Sequence, residues 1–172
     1  MIQGMEPEAR RWLVTGRVQG VGFRPFVFRL AQRFGLPGRV QNLAGQVLIE
    51  AEGETSVLDA FGAALLTDAP PLAQPEMIHA EKIAYRRLDH FAIMPSATAA
   101  AQIHMPPDYF MCDDCRREMQ IAHDRRYRYP FINCTQCGPR YTLITHLPYD
   151  RANTTMAGFA LCPACRSEYE NP

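Results

Sequence analysis

Six cysteines constrain this chain more than any other feature, because all six lie after residue 111 and fall in three Cys-x-x-Cys pairs. A two-residue gap lets both thiolates of a pair reach one tetrahedral ion. Cys112 and Cys115 are separated from Cys134 and Cys137 by 18 residues, a spacing that matches four-cysteine zinc motifs. Four thiolates fill the coordination shell, so the expected site is structural Zn2+ with no open position for catalysis. Gly138 suits the tight turn after the second knuckle. The rival reading is a thioredoxin-like redox pair. It lacks a helix starting at its first cysteine inside a clear βαβ unit. Cys162 and Cys165 form half of a second site. They can pair with cysteines beyond residue 172, recruit His146 or another chain, or stay empty. Spacing does not fix connectivity, so crossed pairing among the three knuckles stays open. Cys112–Met119 and Cys162–Tyr169 also form a partial repeat, Cys-x-x-Cys-Arg-x-Glu, fifty residues apart.

The cysteine-free part carries its own core. Trp12, Val14, Gly16 and Val18 alternate with Leu13, Thr15 and Arg17, the period of a strand. Pro25 opens a helix whose Phe26, Val27, Leu30, Ala31 and Phe34 share one face, and Gly35 stops it. Gly38–Asn42 and Val47–Glu52 read as strands, with Asn42–Gly45 as the turn between them. Val47, Ile49 and Ala51 point inward; Leu48, Glu50 and Glu52 point out. A second helix fits Thr55–Thr67, capped by Thr55 or Ser56. Extended segments near Met77–Leu88 and Phe91–Met94 follow. The order βαββαβ, with a further short strand, predicts an α+β ferredoxin-like sandwich with two helices on one face of an antiparallel sheet. The expected domains are residues 10–97, a linker at 98–105, and a zinc-finger region at 106–172.

Charge and processing signals exclude several classes. Eighteen basic residues balance eighteen acidic ones, so no general nucleic-acid footprint exists. Arg125-Arg126-Tyr127-Arg128-Tyr129 interleaves basic and aromatic residues. It sits among eight acidic side chains in residues 99–172, which favours a solvated face with local salt bridges. No secretory signal or membrane-length apolar run is read, so a cytoplasmic protein is expected. Thiols stay reduced there.

Val18-Gln19-Gly20-Val21-Gly22-Phe23-Arg24 joins a strand to a helix. Glycines let backbone amides turn inward, and a helix N-terminus adds positive charge, so the loop can cradle an anion. Arg24 can clamp two oxygens of a phosphate or carboxylate. On spacing alone an ordinary β-α turn is the favoured reading of the loop and a turn residue that of Asn42, and Arg24 can be a surface arginine.

Residues 10–95 resemble the acylphosphatases, through Val18–Arg24, Gly38-Arg39-Val40-Gln41-Asn42 and Gly45-Gln46-Val47. Gly22-Phe23-Arg24-Pro25-Phe26-Val27 is most similar to the N-terminal domain of the hydrogenase-maturation carbamoyltransferases. The resemblance implies that the amides of Gln19, Gly20, Val21, Gly22 and Phe23, with Arg24, bind phosphate. It implies that Asn42 holds the attacking water. That family also carries two tandem four-cysteine motifs after this domain, of which the chain holds one and a half. The chain is therefore expected to be the N-terminal part of a longer carbamoyltransferase. The resemblance implies hydrolysis of carbamoyl phosphate, or another small acyl phosphate, to supply carbamate. Later domains, absent here, would use ATP and carbamoylate a maturation protein. The competing class is a non-catalytic phosphate-binding module whose zinc ribbon docks another domain, protein or nucleic acid.

Overall fold

The computed structural model describes residues 7–43, 45–97, 111–134, 136–138, 140–147 and 150–172. The expected linker at 98–105 lies outside the described residues. The elements are β1 (Glu8–Arg17), α1 (Phe23–Phe34), β2 (Gly38–Leu43), β3 (Gln46–Gly53), α2 (Thr55–Thr67), β4 (Gln74–Ile83), β5 (Phe91–Met94), α3 (Asp113–Gln120) and α4 (Pro163–Glu170). These five strands form one sheet in the order β4-β1-β3-β2-β5. Short polar turns separate these runs of alternating apolar residues, so the chain folds back as the split βαβ pattern requires.

One face of the sheet supplies Trp12, Val14, Val40, Val47, Ile49 and Ala51, all buried. Helices α1 and α2 cover it with Phe26, Val27, Leu30, Leu58, Phe61 and Leu65. Phe61 sits edge-on to Trp12 at 5.4 Å and to Phe34 at 6.0 Å, the arrangement ring quadrupoles favour. Helix α2 is capped at Glu54 rather than at Thr55 or Ser56. Its first hydrogen bonds, from the amides of Val57 and Leu58, end on the Glu54 carbonyl.

The opposite face departs from expectation. Glu50 and Glu52 point away from the helices yet are only 2% and 3% exposed. Arg11 donates to Glu50 Oε1 from Nε at 2.8 Å and from Nη2 at 2.6 Å. Arg39 Nε donates to Glu50 Oε2 at 2.7 Å. Glu52 accepts from the backbone amides of Arg86 at 2.6 Å and Leu88 at 2.8 Å. These bonds satisfy the buried charge, as a low-dielectric site demands. They also tie down the crossover after β4. That crossover passes the end of the sheet where β2 begins, so β5 enters beside β2 in the same direction. The sheet is consequently mixed, not purely antiparallel.

Candidate functional site: a glycine-rich loop beside a cysteine cluster

The loop between β1 and α1 is anchored by its side chains. Val18, Val21 and Phe23 are buried to within 1%. The Gln19 carboxamide donates from Nε2 to the carbonyls of Leu43 at 2.8 Å and Gln46 at 3.1 Å, which ties the loop to the β2–β3 turn. Gly20 and Gly22 adopt φ of 69° and 74°, which only glycine enters cheaply. The first helical bond of α1 runs from the Phe26 amide to the Gly22 carbonyl at 3.1 Å. The Phe23 and Arg24 amides therefore precede the helical ladder as first-turn donors, and Pro25 brings none. No acidic residue lies in that turn to offset its positive end.

Arg24 stands at this helix terminus and faces Asn42 on β2. With the Asn42 amide oxygen turned toward it, the guanidinium donates from Nε at 3.1 Å and from Nη2 at 3.2 Å. The reverse orientation would set amide hydrogens against guanidinium hydrogens. Asn42 is 2% exposed and pairs with Val47 in the β-ladder, so it is a strand residue rather than a turn residue. Arg24 also reaches Ser96 Oγ from Nη1 at 3.2 Å and Asp150 Oδ1 from Nη2 at 3.0 Å.

Next to this loop the finger region gathers four sulfurs. The Sγ atoms of Cys112, Cys115, Cys134 and Cys137 all lie within 4.8 Å of one another. Cys112–Cys134 is 3.5 Å, while Cys115–Cys137 and Cys134–Cys137 are 3.8 Å. A tetrahedron with Zn–S arms of about 2.3 Å has edges of about 3.8 Å, so these residues fit a zinc ion. Ile132 and Met119 pack the cluster from outside. Burial and the neighbouring sulfurs push the Cys115 thiol up to about 12. The Cys134 thiol donates to Cys137, which holds Cys134 above and Cys137 below the ordinary thiol range. Cys112 is the N-cap of α3, so a helix does start at this pair, contrary to expectation. It belongs to no βαβ unit, and the partner sulfurs are those of the other knuckle.

The sequence pattern of the Acylphosphatase family matches residues 10–93. An acylphosphatase of Archaeoglobus fulgidus is 41% identical over 81 residues, which is 46% of this chain and 90% of that protein. The chain belongs to the acylphosphatase family. Its finger region matches the HypF finger over residues 111–144. The carbamoyltransferase HypF of Rhodobacter capsulatus is 48% identical over 166 residues, covering 96% of this chain and 22% of its own length. The crystal structure of full-length HypF in a phosphate- and nucleotide-bound form superposes with a TM-score of 0.83 at 40% identity, over 95% of this chain and 22% of that one. The chain thus spans about a fifth of the length of the HypF proteins it matches.

In this acylphosphatase domain the structure brings Arg24, Asn42 and the Gln19–Phe23 loop together. It joins Cys112 and Cys115 to Cys134 and Cys137, which removes the crossed pairings for those four. Cys162 and Cys165 lie outside that cluster. Cys162 caps α4, and its Sγ accepts from the Cys165 amide at 3.4 Å, a side-chain cap that Cys112 does not make at α3. His146 Nδ1 is 3.0 Å from Thr145 Oγ1. Among the described residues no metal-ligand group joins His146 to Cys162 or Cys165. Within the Arg125–Tyr129 run, Arg126 pairs with Glu118 at 2.9 Å and with Glu168, and Arg125 pairs with Glu168.

Two features were missed by sequence reasoning. Gly138 packs onto the Gly20–Val21 backbone of the β1–α1 loop. A Cβ there would stand 2.8 Å from the Gly20 carbonyl carbon and 3.2 Å from the Val21 nitrogen, with the Gly20 oxygen closer still. Asp150 reaches Arg24 from the same region. The glycine after a knuckle was the one available signal, and it predicted a turn rather than a contact. Among the described residues no helix is long and apolar enough to cross a membrane.

Proposed function

We propose that this chain hydrolyses acyl phosphates at Arg24 and Asn42, with carbamoyl phosphate as the physiological substrate. The observation that carries the reading is the meeting of these two side chains at the N-terminus of α1. In this reading Arg24 and the amides of Gln19–Phe23 hold the phosphoryl oxygens and stabilise the charge that grows there. Asn42 turns its carbonyl oxygen to Arg24 and keeps its NH2 group to orient a water. The water oxygen attacks phosphorus in line. The P–O bond to the acyl oxygen breaks, carbamate leaves with the bonding electrons, and the water proton passes to a phosphoryl oxygen. The leaving group is already activated, so the step needs no protein nucleophile. Positioning accounts for most of the rate enhancement.

Family membership supports acyl phosphate chemistry, and the likeness to HypF over most of the chain supports carbamoyl as the acyl group. By the same likeness, carbamate would pass to ATP-using domains of a longer carbamoyltransferase and then to a maturation protein. Reduced thiols in this role suit the cytoplasm. The four clustered cysteines would hold one structural Zn2+; the ion would fix the finger fold through its thiolate bonds. The test is phosphate release from carbamoyl phosphate and acetyl phosphate. Turnover by the wild type and its loss in Arg24→Ala support the reading. Equal release by both proteins excludes it. Near one zinc per chain is expected by elemental analysis.

A further inference from the structure

The finger region delivers a carboxylate to the Arg24 guanidinium. Asp150 Oδ1 accepts from Nη2 at 3.0 Å across 126 residues of sequence. The two side chains are 16% and 30% exposed, so water screens the pair only in part. The contact is presented by hydrogen-bonded backbone. The Asn153 amide donates to the Asp150 carbonyl at 2.8 Å, the Thr145 amide to the Asn153 carbonyl at 2.9 Å, and the Thr155 amide to the Leu143 carbonyl at 2.8 Å. Gly138 docks the same region on Gly20. A carboxylate uses the donors a phosphate would use, because both offer paired anionic oxygens to a guanidinium.

We infer that Asp150 is a specificity-determining residue of this site, an internal anion that an incoming phosphate must displace from Arg24. The inference rests on Arg24 being the phosphate clamp. Two anions on one guanidinium nitrogen repel each other, so the site binds a ligand only when the exchange is favourable. An anion held by the guanidinium alone gains nothing by replacing Asp150. A phosphate that also reaches the first-turn amides of α1 gains donors Asp150 does not have. Asp150 thereby selects for phosphate over simpler anions and weakens retention of free phosphate after turnover.

The experiment is calorimetric titration of inorganic phosphate into the whole chain. Asp150→Asn should bind phosphate about threefold to tenfold more tightly than wild type, between the worth of a screened ion pair and of a charge-assisted hydrogen bond. Asp150→Glu keeps the charge and should not tighten binding. Arg24→Ala should weaken binding in either background. A merely structural Asp150 would loosen the finger when removed and could not tighten phosphate binding. Equal or weaker binding by Asp150→Asn overturns the inference, as does tightening by Asp150→Glu. If Asp150→Asn melts below the titration temperature, Asp150→Ser replaces it under the same criteria. Tightened binding without acyl phosphate turnover would exclude the catalytic reading and leave this one standing.

Discussion

Substituting alanine at Gly138 separates two energies that the structure assigns to one residue. Its φ is +71°, and a left-handed non-glycine residue costs about 1–2 kcal/mol. The new Cβ would also lie 2.8 Å from the Gly20 carbonyl carbon, well inside ordinary contact. Both neighbours are backbone, so neither can swing away as a side chain would. Overpacking of this kind costs about 1–3 kcal/mol more. Gly35 is the control. Its φ is +65°, and nothing lies within 4 Å of a Cβ built there. Gly35→Ala pays the backbone strain alone. Thermal melts of the zinc-loaded proteins should therefore place Gly138→Ala below Gly35→Ala by roughly 2–12 °C, at about 2–4 °C per kcal/mol for this size. Phosphate affinity should fall in Gly138→Ala and stay unchanged in Gly35→Ala, because only the first disturbs the Gly20–Val21 backbone. Equal melting points and equal phosphate affinity would refute the docking of the knuckle on the loop.

The buried carboxylate on the outer face of the sheet makes stability depend on acid. Desolvation raises the Glu50 pKa, but hydrogen bonds from Arg39 and Arg11 outweigh it and leave the pKa below the ordinary carboxylate value. The folded pKa is thus depressed, so the contribution is complete above the unfolded value and is lost as pH falls through the folded one. Denaturant titrations of wild type should lose stability below about pH 4.5, and Glu50→Gln should flatten that slope. At neutral pH Glu50→Gln should cost about 2–3 kcal/mol, less than breaking a fully buried pair, since both arginines are about a third exposed. Removing the metal should act regionally. A strong chelator, or Cys115→Ser, should abolish zinc retention and unfold the finger while the far-ultraviolet signal of the α+β sandwich persists; a fully cooperative loss of both would contradict that division.

The sandwich was legible because its core obeys local periods. Val47, Ile49 and Ala51 alternate, and the apolar face of α1 recurs at helical spacing. What escaped is what depends on distant partners. Glu50 and Glu52 read as solvent-facing by alternation, yet Arg11, Arg39 and the Arg86–Leu88 crossover amides bury them. The parallel entry of β5 follows from the path of that crossover, which carries no pattern in its residues. Asn42 resembled turn chemistry, but the ladder continues through it to Leu43. Metal-ligand spacing identified the four clustered sulfurs, because chelation geometry is encoded in the two-residue gap. The same spacing said nothing about where the finger would rest. Its docking on Gly20 and Arg24 is a matter of surface fit between segments more than a hundred residues apart. The start of α3 at Cys112 had an unused signal, since Asp113 and Asp114 suit the first turn of a helix.

The proposed division of labour makes Arg24 the anion clamp and Asn42 the water holder. The most direct measurement is steady-state phosphate release from carbamoyl phosphate by wild type, Arg24→Ala and Asn42→Ala, analysed as separate kcat and KM effects. Asn42→Ala should lose kcat by about 100-fold or more while its affinity for inorganic phosphate is retained, as expected when only positioning of the attacking water is lost. Arg24→Ala should lose phosphate affinity and turnover together. Wild-type kcat in Asn42→Ala would contradict the account.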